Sequence, residues 1–330
     1  MRVAVIGVGH WHATLMYLPA LRDLGVEIAG ISDPDESALD RAGVDCPRFT
    51  DHRELLAAIR PDFVFAHAPH CDMTAVARDL VRAGQAFAME KPMGIDWREL
   101  QVVAHEAQER GVFAAVALVN RYLALIEKLA ELRASGELGR TVHYYSRLFA
   151  GPPQRYRDMH VDWMLDPSRA GAGPLFNFGP HGIDLYFHLG GEAVETVYAC
   201  TTHELHHERI EDIGSVTFRT GSGAIGVVEV SYSLPEDYTR NFCLTTDQLY
   251  VGGNIEGDTI RFRDGRRLAV APDATANEGY GLYTADTLRR FAEGRPPKAS
   301  IHDMVPVLRV LNGAQRSIEA GQVVKIAEVT

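Results

Sequence analysis

The first part of the chain alternates short apolar runs with longer amphipathic segments, and this alternation limits the possible folds more than any other feature. Residues 3–6 and 63–66 are continuous apolar runs, typical of parallel strands covered on both faces. Segments such as 74–83 and 97–110 have helical periodicity. Strands that alternate with helices form a doubly wound parallel sheet. We therefore predict an α/β domain over residues 1–121.

Two glycines follow the first predicted strand. Gly7 and Gly9 open a segment with helical periodicity that runs to Leu24. In the dinucleotide fingerprint, the first glycine makes a tight turn and the second lets the backbone approach a pyrophosphate, which lies at the helix N-terminus. The third glycine position holds His12, so we expect a wider helix–strand spacing or a displaced helix there. This context predicts a Rossmann domain.

An acidic residue ends the second predicted strand. Asp33 follows residues 27–32, at the distance from Gly9 where the fingerprint has its acidic residue. A carboxylate there binds the ribose hydroxyls of NAD and repels the 2′-phosphate of NADP. Asp33 also precedes Pro34 and could be only a turn or N-cap residue. No arginine directly follows it, so we expect NAD, with NADP possible.

Residues that could contact a ligand also follow the next strands of this domain. They are Ala68, Pro69 and His70 after the strand 63–66, and Glu90 and Lys91 after the strand 86–89. Pro92 biases Lys91 towards an extended backbone, which restricts where its side chain leaves the chain. Since ligands bind at the carboxyl ends of parallel strands, we expect these residues at one edge of the sheet. Taken alone, Lys91 could equally be a solvated loop lysine.

The pattern changes in the second part of the chain, and a length of 330 residues suggests two domains. We predict an α+β domain over residues 122–330, with a largely antiparallel open sheet. Its predicted strands are 141–149, 196–202, 213–220, 224–233, 241–246 and 259–263. Its predicted helices are 123–135, 282–293 and 303–320, and the last could pack back on the first domain.

The segment 171–184 carries residues suited to proton transfer. Asn177, His181 and Asp184 are spaced i, i+4, i+7, so they share one face if the segment is helical. A histidine can accept a hydroxyl proton near neutral pH, and a lysine cation stabilises a developing alkoxide. Beside a nicotinamide, His181 and Lys91 are the minimum set for oxidising a secondary alcohol. Alone, His181 could be a half-buried structural histidine.

Composition argues against several functions. The formal net charge of −11 disfavours nucleic acid and anionic membrane as partners. No apolar run reaches the roughly 18 residues that span a bilayer, and the N-terminus lacks the apolar core of a signal peptide. The four cysteines are scattered, which favours reduced thiols in the cytoplasm. His203, His206 and His207 are close in sequence but follow a strand, so we expect a solvated connection and no metal site.

Taken together, these residues resemble the Gfo/Idh/MocA oxidoreductases, the group of glucose–fructose oxidoreductase and inositol dehydrogenase, over nearly the whole chain. The matching pieces are the Gly7/Gly9 turn, the strand ending at Asp33, Glu90-Lys91-Pro92, Asn120-Arg121, Gly136-Glu137-Leu138-Gly139, Trp163-Met164-Leu165-Asp166-Pro167, the segment 171–184, and Glu211-Asp212. The resemblance implies an NAD(P)-dependent dehydrogenase that acts on a secondary alcohol of a sugar, inositol or related polyol. It also implies a homodimer or homotetramer formed through the C-terminal sheet.

The resemblance assigns roles by position. It implies three catalytic residues, Lys91, His181 and Asn177. The implied cofactor contacts are Gly7, Gly9, His10, Trp11, His12, Asp33, Ala68, Pro69, His70, Glu90, Lys91 and Arg121. The implied substrate contacts are Lys91, Asp162, Trp163, Asn177, His181 and Asp184. Four further residues could contact the substrate, the surface or another subunit: Arg155, Tyr156, Arg157 and Tyr280.

The sequence departs from the family pattern in three places. Asn177 stands where the family usually has aspartate, His12 occupies the third glycine position, and His70 and Met73 replace a common asparagine and histidine. An aspartate at 177 would orient the histidine and support its positive form, whereas asparagine adds no charge. Two alternatives therefore stay open. One is an internal-redox enzyme that holds NAD tightly and cleaves or eliminates at a sugar, and the other is a non-enzymatic NAD(P)-binding regulator.

Overall fold

The structure is a computed structural model that describes residues 1–275 and 277–329. It contains a six-stranded sheet and a nine-stranded sheet. Ala276, in the loop before the predicted helix 282–293, and Thr330, the last residue of the predicted second domain, lie outside the described residues. Among the described residues, no helix combines the length and the apolar character needed to cross a membrane.

The first sheet is fully parallel, as predicted. Its strands, in chain order, are β1 (Arg2–Ile6), β2 (Glu27–Ser32), β3 (Arg48–Phe49), β4 (Phe63–Ala66), β5 (Phe87–Met89) and β6 (Ala114–Val116). The spatial order is β3-β2-β1-β4-β5-β6. The helices are α1 (Leu18–Asp23), α2 (Glu36–Arg41), α3 (His52–Ile59), α4 (His70–Arg82) and α5 (Trp97–Glu109). The strand order reverses beside β1, which opens a crevice at the carboxyl ends of β1 and β4.

Two helices of this part begin differently from the sequence prediction. A π-helical stretch, Ala13–Tyr17, precedes α1, so the helical segment after Gly9 is not a regular α-helix throughout. The wider spacing or displaced helix expected from His12 stays a prediction. Helix α4 already begins at His70, four residues before the predicted helical segment 74–83. The carboxylate of Asp72 in its first turn favours that earlier start, because it complements the helix dipole.

The second sheet is mixed and mostly antiparallel, which confirms the predicted α+β class. Its strands are β7 (Thr141–Ala150), β8 (Val194–Thr202), β9 (Ile213–Thr220), β10 (Ile225–Ser231), β11 (Tyr238–Thr246), β12 (Leu249–Asn254), β13 (Asp258–Phe262), β14 (Arg267–Val270) and β15 (Val324–Lys325). Only the β7–β10 pair is parallel among the described strands of this sheet. The sequence analysis missed β12 and β14, since paired glycines and exposed arginines hide the strand pattern there.

The second part of the chain also contains helices, and some of them cover one face of the second sheet. The helices are α6 (Ala124–Ala134), α7 (Gln154–Asp158), α8 (Pro167–Ala170), α9 (Pro174–His188), α10 (Gly279–Ala292) and α11 (Ile301–Ala320), with 3₁₀ turns at Val119–Tyr122, Asp162–Leu165 and Ile326–Glu328. Helix α9 is buried along most of its length. Helix α11 contacts α5: Asn312 Oδ1 accepts the Trp97 N–H at 3.0 Å, and Asn312 Nδ2 donates to the Ile95 carbonyl at 2.8 Å. The last helix therefore ties the two sheets together, and the boundary at residue 121 stays a prediction.

Candidate active site

A cavity of about 640 Å³ lies at the carboxyl ends of β1, β2 and β4. Six of the predicted cofactor residues line it, namely Gly7, Gly9, His10, Asp33, Ala68 and Pro69. His160 and Trp163 line it as well. Its volume is in the range of small-molecule sites, which runs from roughly 300 to 1,000 Å³. The position matches the crevice expected from the strand order.

The Gly7 turn leaves no room for a side chain. Gly7 has a φ of +74°, and a Cβ there would lie 2.0 Å from the carbonyl oxygen of His67. A Cβ on Gly9 would lie 2.9 Å from Asp33 Oδ2. Glycine is required at position 7 for both its conformation and its lack of a side chain. The chain thus brings bare backbone to the cavity wall, as pyrophosphate binding requires.

Backbone N–H groups hold the Asp33 carboxylate in place. Gly9 donates to Oδ2 at 2.7 Å and Asp35 donates to Oδ1 at 2.9 Å. Burial raises the pKa of Asp33, while the two N–H donors act in the opposite direction. With the glycine turn beside it, this carboxylate fits the ribose of a dinucleotide, so the residues present suit an NAD-type cofactor. Arg41 and Arg53 also line the cavity, and the sequence analysis did not identify them.

Aromatic and imidazole rings form the wall between this cavity and a second one. The His10 ring stacks on the Trp11 ring at 4.0 Å, and Trp163 lies 6.0 Å from Trp11. Burial lowers the pKa of His67 to about 4 and that of His70 to about 3. These buried imidazoles are therefore neutral, and His70 bonds the Ala170 carbonyl through Nδ1 at 2.8 Å. Trp163, predicted to contact the substrate, lies on the cofactor side.

The second cavity has a volume of about 290 Å³ and brings together residues from both sheets. Trp11 and His12 enter from the first sheet, along with Lys91, while Asn177 and His181 enter from α9. Both predicted catalytic residues therefore share one cavity wall. Because the His10–Trp11 pair spans both walls, the second cavity adjoins the first.

Lys91 is buried and held by α9. Its Nζ donates to Asn177 Oδ1 at 2.7 Å and to the Asn177 carbonyl at 2.8 Å. Burial lowers the pKa of Lys91 to about 8, and the neighbouring carboxylate of Glu90 acts against that shift. The ammonium form thus predominates at neutral pH, but it loses its proton far more readily than an exposed lysine does.

Glu90 lies behind the cavity wall and supports its residues. Its Oε1 accepts from the Tyr17 hydroxyl at 2.9 Å and lies 3.1 Å from His12 Nδ1. Burial would raise the pKa of Glu90, but His12 and Lys91 outweigh it and lower the pKa to about 2. The carboxylate is therefore ionised. Its placement agrees with a supporting role rather than with the predicted direct cofactor contact, because Glu90 is on neither cavity wall.

Both polar atoms of the Asn177 side chain form hydrogen bonds, although not with His181. Its Oδ1 accepts from Lys91, and its Nδ2 donates to the Tyr156 hydroxyl at 2.7 Å and to the Tyr232 hydroxyl at 3.1 Å. The two tyrosine hydroxyls lie 3.2 Å apart. An amide is the group that suits these neighbours, since it can accept from a cation and donate to two hydroxyls at once. The asparagine therefore positions Lys91.

His181 has an unsatisfied ring nitrogen. It is 9 % exposed, and its Nδ1 is buried with no hydrogen-bond partner among the described residues. Burial lowers the pKa of His181 well below its usual value, and the Lys91 cation lowers it further. The imidazole is neutral at pH 7 and can accept a proton. An unpartnered buried polar atom is costly, and it is commonly retained where a ligand or reaction uses it.

Besides Glu90, four residues predicted to bind cofactor or substrate lie on neither cavity wall: His70, Arg121, Asp162 and Asp184. Asp184 forms a buried ion pair with Arg121, with Nε to Oδ2 at 3.0 Å and a second bond of 2.5 Å. Arg121 also bonds Asp303 at 3.2 Å and the Lys298 carbonyl at 2.9 Å. Asp162 is exposed at the start of a 3₁₀ turn. Asp184 and Arg121 pair with each other and so join α9 to the 3₁₀ turn Val119–Tyr122, while their ligand contacts stay a prediction.

The structure also gives positions for the four residues that could contact either the substrate or the surface. Arg155, Tyr156 and Tyr280 line the second cavity. Arg157 is exposed and pairs with Glu208 at 2.6 Å. The sequence analysis missed Arg240 and Tyr238, which enter the cavity from β11, because nothing in a single strand shows where its first residues will lie.

His203 and His206 bond the backbone carbonyls of Ile210 and Tyr232.

Two family models match the chain. One, described as the oxidoreductase family with an NAD-binding Rossmann fold, matches residues 1–118. The other, described as the GFO/IDH/MocA C-terminal domain, matches residues 126–253. The two matches fall on the two sheets.

Similar proteins cover the chain from end to end. D-xylose 1-dehydrogenase (NADP(+)) 2 of Haloferax volcanii is 26% identical, with 94% of this chain and 95% of that protein aligned. Myo-inositol 2-dehydrogenase of Thermotoga maritima is 24% identical over 100% of this chain and 99% of its own. The structure of levoglucosan dehydrogenase, a complex with NADH and levoglucosan, superposes with a TM-score of 0.82 at 17% identity and covers 99% of this chain and 100% of that one.

Proposed function

The chain belongs to the Gfo/Idh/MocA oxidoreductase family, and on that basis we propose that it oxidises a secondary alcohol of a sugar, inositol or related polyol with NAD(P). The observation that carries this proposal is the shared wall of Lys91 and His181 in a cavity adjoining the dinucleotide cavity. Similar proteins are named as dehydrogenases of a sugar and of an inositol. That supports net dehydrogenation over the internal-redox and regulatory alternatives.

The residues divide the chemistry among them. A bound nicotinamide supplies the hydride acceptor. Lys91, held by Asn177, presents its ammonium group to the alcohol oxygen and stabilises the negative charge that develops there. His181 is neutral and accepts the alcohol proton on its imidazole. Asn177 acts as a positioning residue, since its amide contacts Lys91 and two tyrosines.

The direct test is the absorbance of reduced nicotinamide after mixing the purified protein with NAD or NADP and a panel of inositols, sugars and sugar acids. We expect reduction with at least one compound, and a preference for NAD because the Asp33 carboxylate repels a 2′-phosphate. Arg41 and Arg53 on the same wall could offset part of that repulsion. Bound dinucleotide with no reduction across the panel would instead favour the internal-redox or regulatory alternative.

We further propose that subunits pair through the uncovered face of the second sheet. Tyr198, Ile225 and Tyr250 alternate with buried residues along their strands and are 44%, 46% and 39% exposed. Large exposed apolar side chains on a sheet indicate an interaction surface. Light scattering on the purified protein is expected to give the mass of two or four chains. The mass of a single chain would contradict this assembly.

A further inference from the structure

The second cavity has an unusual balance of charge. Among the described residues that line it there are three cationic side chains, Lys91, Arg155 and Arg240, and no aspartate or glutamate. Cations in a partly buried site are normally paired, because removing a charge from water is costly. Arg121 shows the usual solution in this same protein, since two carboxylates hold it. The cavity wall lacks that compensation.

Neutral groups hold the first of these cations. Lys91 Nζ bonds the amide and the carbonyl oxygen of Asn177, so no carboxylate contacts it from α9. The carboxylate of Glu90, the preceding residue, favours the charged form of Lys91, but it bonds Tyr17 and lies beside His12 behind the wall and does not line the cavity. Asparagine at this position therefore leaves the cavity more positive by one charge than aspartate would.

Tyrosine rings and neutral oxygens hold the two arginines. Arg155 donates to the Gly151 carbonyl at 2.5 Å and to the Tyr156 hydroxyl at 3.1 Å. The guanidinium carbons of Arg155 and Arg240 lie 5.5 Å and 4.8 Å from the centre of the Tyr238 ring, so both groups approach the same side chain. A guanidinium has five N–H donors, and these contacts of Arg155 leave several for a ligand.

Burial disfavours the charged form of Arg240 without removing its charge. It lowers the pKa of Arg240, although Tyr238 and Glu256 act in the opposite direction. Glu256 does not line the cavity. Arginine nevertheless stays protonated in proteins, so Arg240 presents a partly desolvated cation to the cavity. An anionic ligand would supply the missing charge.

We propose that the second cavity binds a monosaccharide-sized hydroxy acid, with Arg155 and Arg240 holding its carboxylate. A planar guanidinium matches a carboxylate in shape and can bond it through two parallel N–H groups. The volume of about 290 Å³ is at the lower limit for small-molecule sites, which suits a single sugar acid better than a nucleotide-linked sugar. The inference rests on the proposed function for the role of Lys91 and His181 at the oxidised hydroxyl. The substrate carboxylate is unchanged in that step.

Steady-state kinetics on matched compounds test this specificity. D-gluconate and D-glucuronate represent the acids, D-glucose and myo-inositol the neutral compounds, and D-glucose 6-phosphate an alternative anion. For the best acid, Arg240→Gln is expected to raise KM about ten- to hundred-fold with little change in kcat, as loss of a charged hydrogen bond predicts. The ratio of kcat/KM for the acids to that for the neutral compounds should fall by a similar factor. Arg98→Gln, an exposed arginine of α5 beside the Trp97 ring, is the matched control.

A binding measurement separates this inference from the proposed function. The thermal midpoint of the NADH-saturated protein should rise with the acids, and the rise should be lost in Arg240→Gln but kept in Arg98→Gln. If no compound is oxidised but this pattern holds, the acid site stands and the proposed function fails. If neutral sugars are oxidised as efficiently as acids and Arg240→Gln has no effect, the inference is overturned and the proposed function stands. Preference for the phosphate ester, or absence of both binding and turnover, also overturns it.

Discussion

Replacing Lys91 with methionine is expected to lower kcat/KM for the alcohol substrate about a hundred- to thousand-fold, the usual cost of losing one donor to a developing oxyanion. Methionine keeps much of the buried length of the side chain but removes the ammonium group. Dinucleotide affinity should change little, because Lys91 lines only the second cavity. Initial-rate assays of nicotinamide reduction measure the loss of kcat/KM, and fluorescence titration with NADH measures dinucleotide affinity. Lys128→Met, on the exposed side of α6, is the matched control.

The pH profile identifies which form of Lys91 is active. Since burial lowers its pKa to about 8, the stabilising cation is present below that pH and is lost as pH rises through it. We therefore expect kcat/KM to fall on the alkaline side near pH 8. Asn177→Asp places a carboxylate next to the Lys91 Nζ. This negative charge favours the ammonium form and should move the alkaline limb to higher pH. An alkaline limb that stays in place in Asn177→Asp would exclude Lys91 as its origin.

The first cavity was largely predictable because its residues lie in local patterns. Gly7 and Asp33 each follow the end of a parallel strand, and parallel strands bring their carboxyl ends to one edge. Lys91 obeys the same rule after β5. A short apolar run, a turn and a helix are enough to place such residues. The conclusion needed no knowledge of which strands pair.

The walls of the second cavity depend on contacts between distant parts of the chain. Arg240 reaches the cavity because β11 pairs with β7, and Tyr232 contacts Asn177 across 55 residues. Helical spacing correctly put Asn177 and His181 together but could not show that Asp184 meets Arg121, 63 residues away. Strand alternation tells which residues share a face, but not which loop or helix covers that face. Substrate specificity depends on which loop or helix covers that face.

Replacing His181 with glutamine is expected to reduce kcat/KM about a hundred- to ten-thousand-fold, the range typical of lost general base catalysis. Glutamine fills similar space and keeps polar atoms near the unpartnered Nδ1 position, so the fold should be retained. His188→Gln, on the same helix and outside both cavities, is the matched control. Added imidazole should partly restore activity to His181→Ala, because that variant leaves a space for it. A merely structural role would show no such rescue.

The acidic side of the pH profile tests whether His181 is the base. A base must be neutral, and burial together with Lys91 lowers the pKa of His181 well below its usual value. In the wild-type protein, kcat/KM should therefore hold through the neutral range and fall only as pH drops through that lowered pKa. The residual activity of His181→Gln should lack this limb. If the variant instead keeps wild-type activity, and kcat/KM rises with pH through about 8, the neutral amine of Lys91 is the base and His181 is a structural residue.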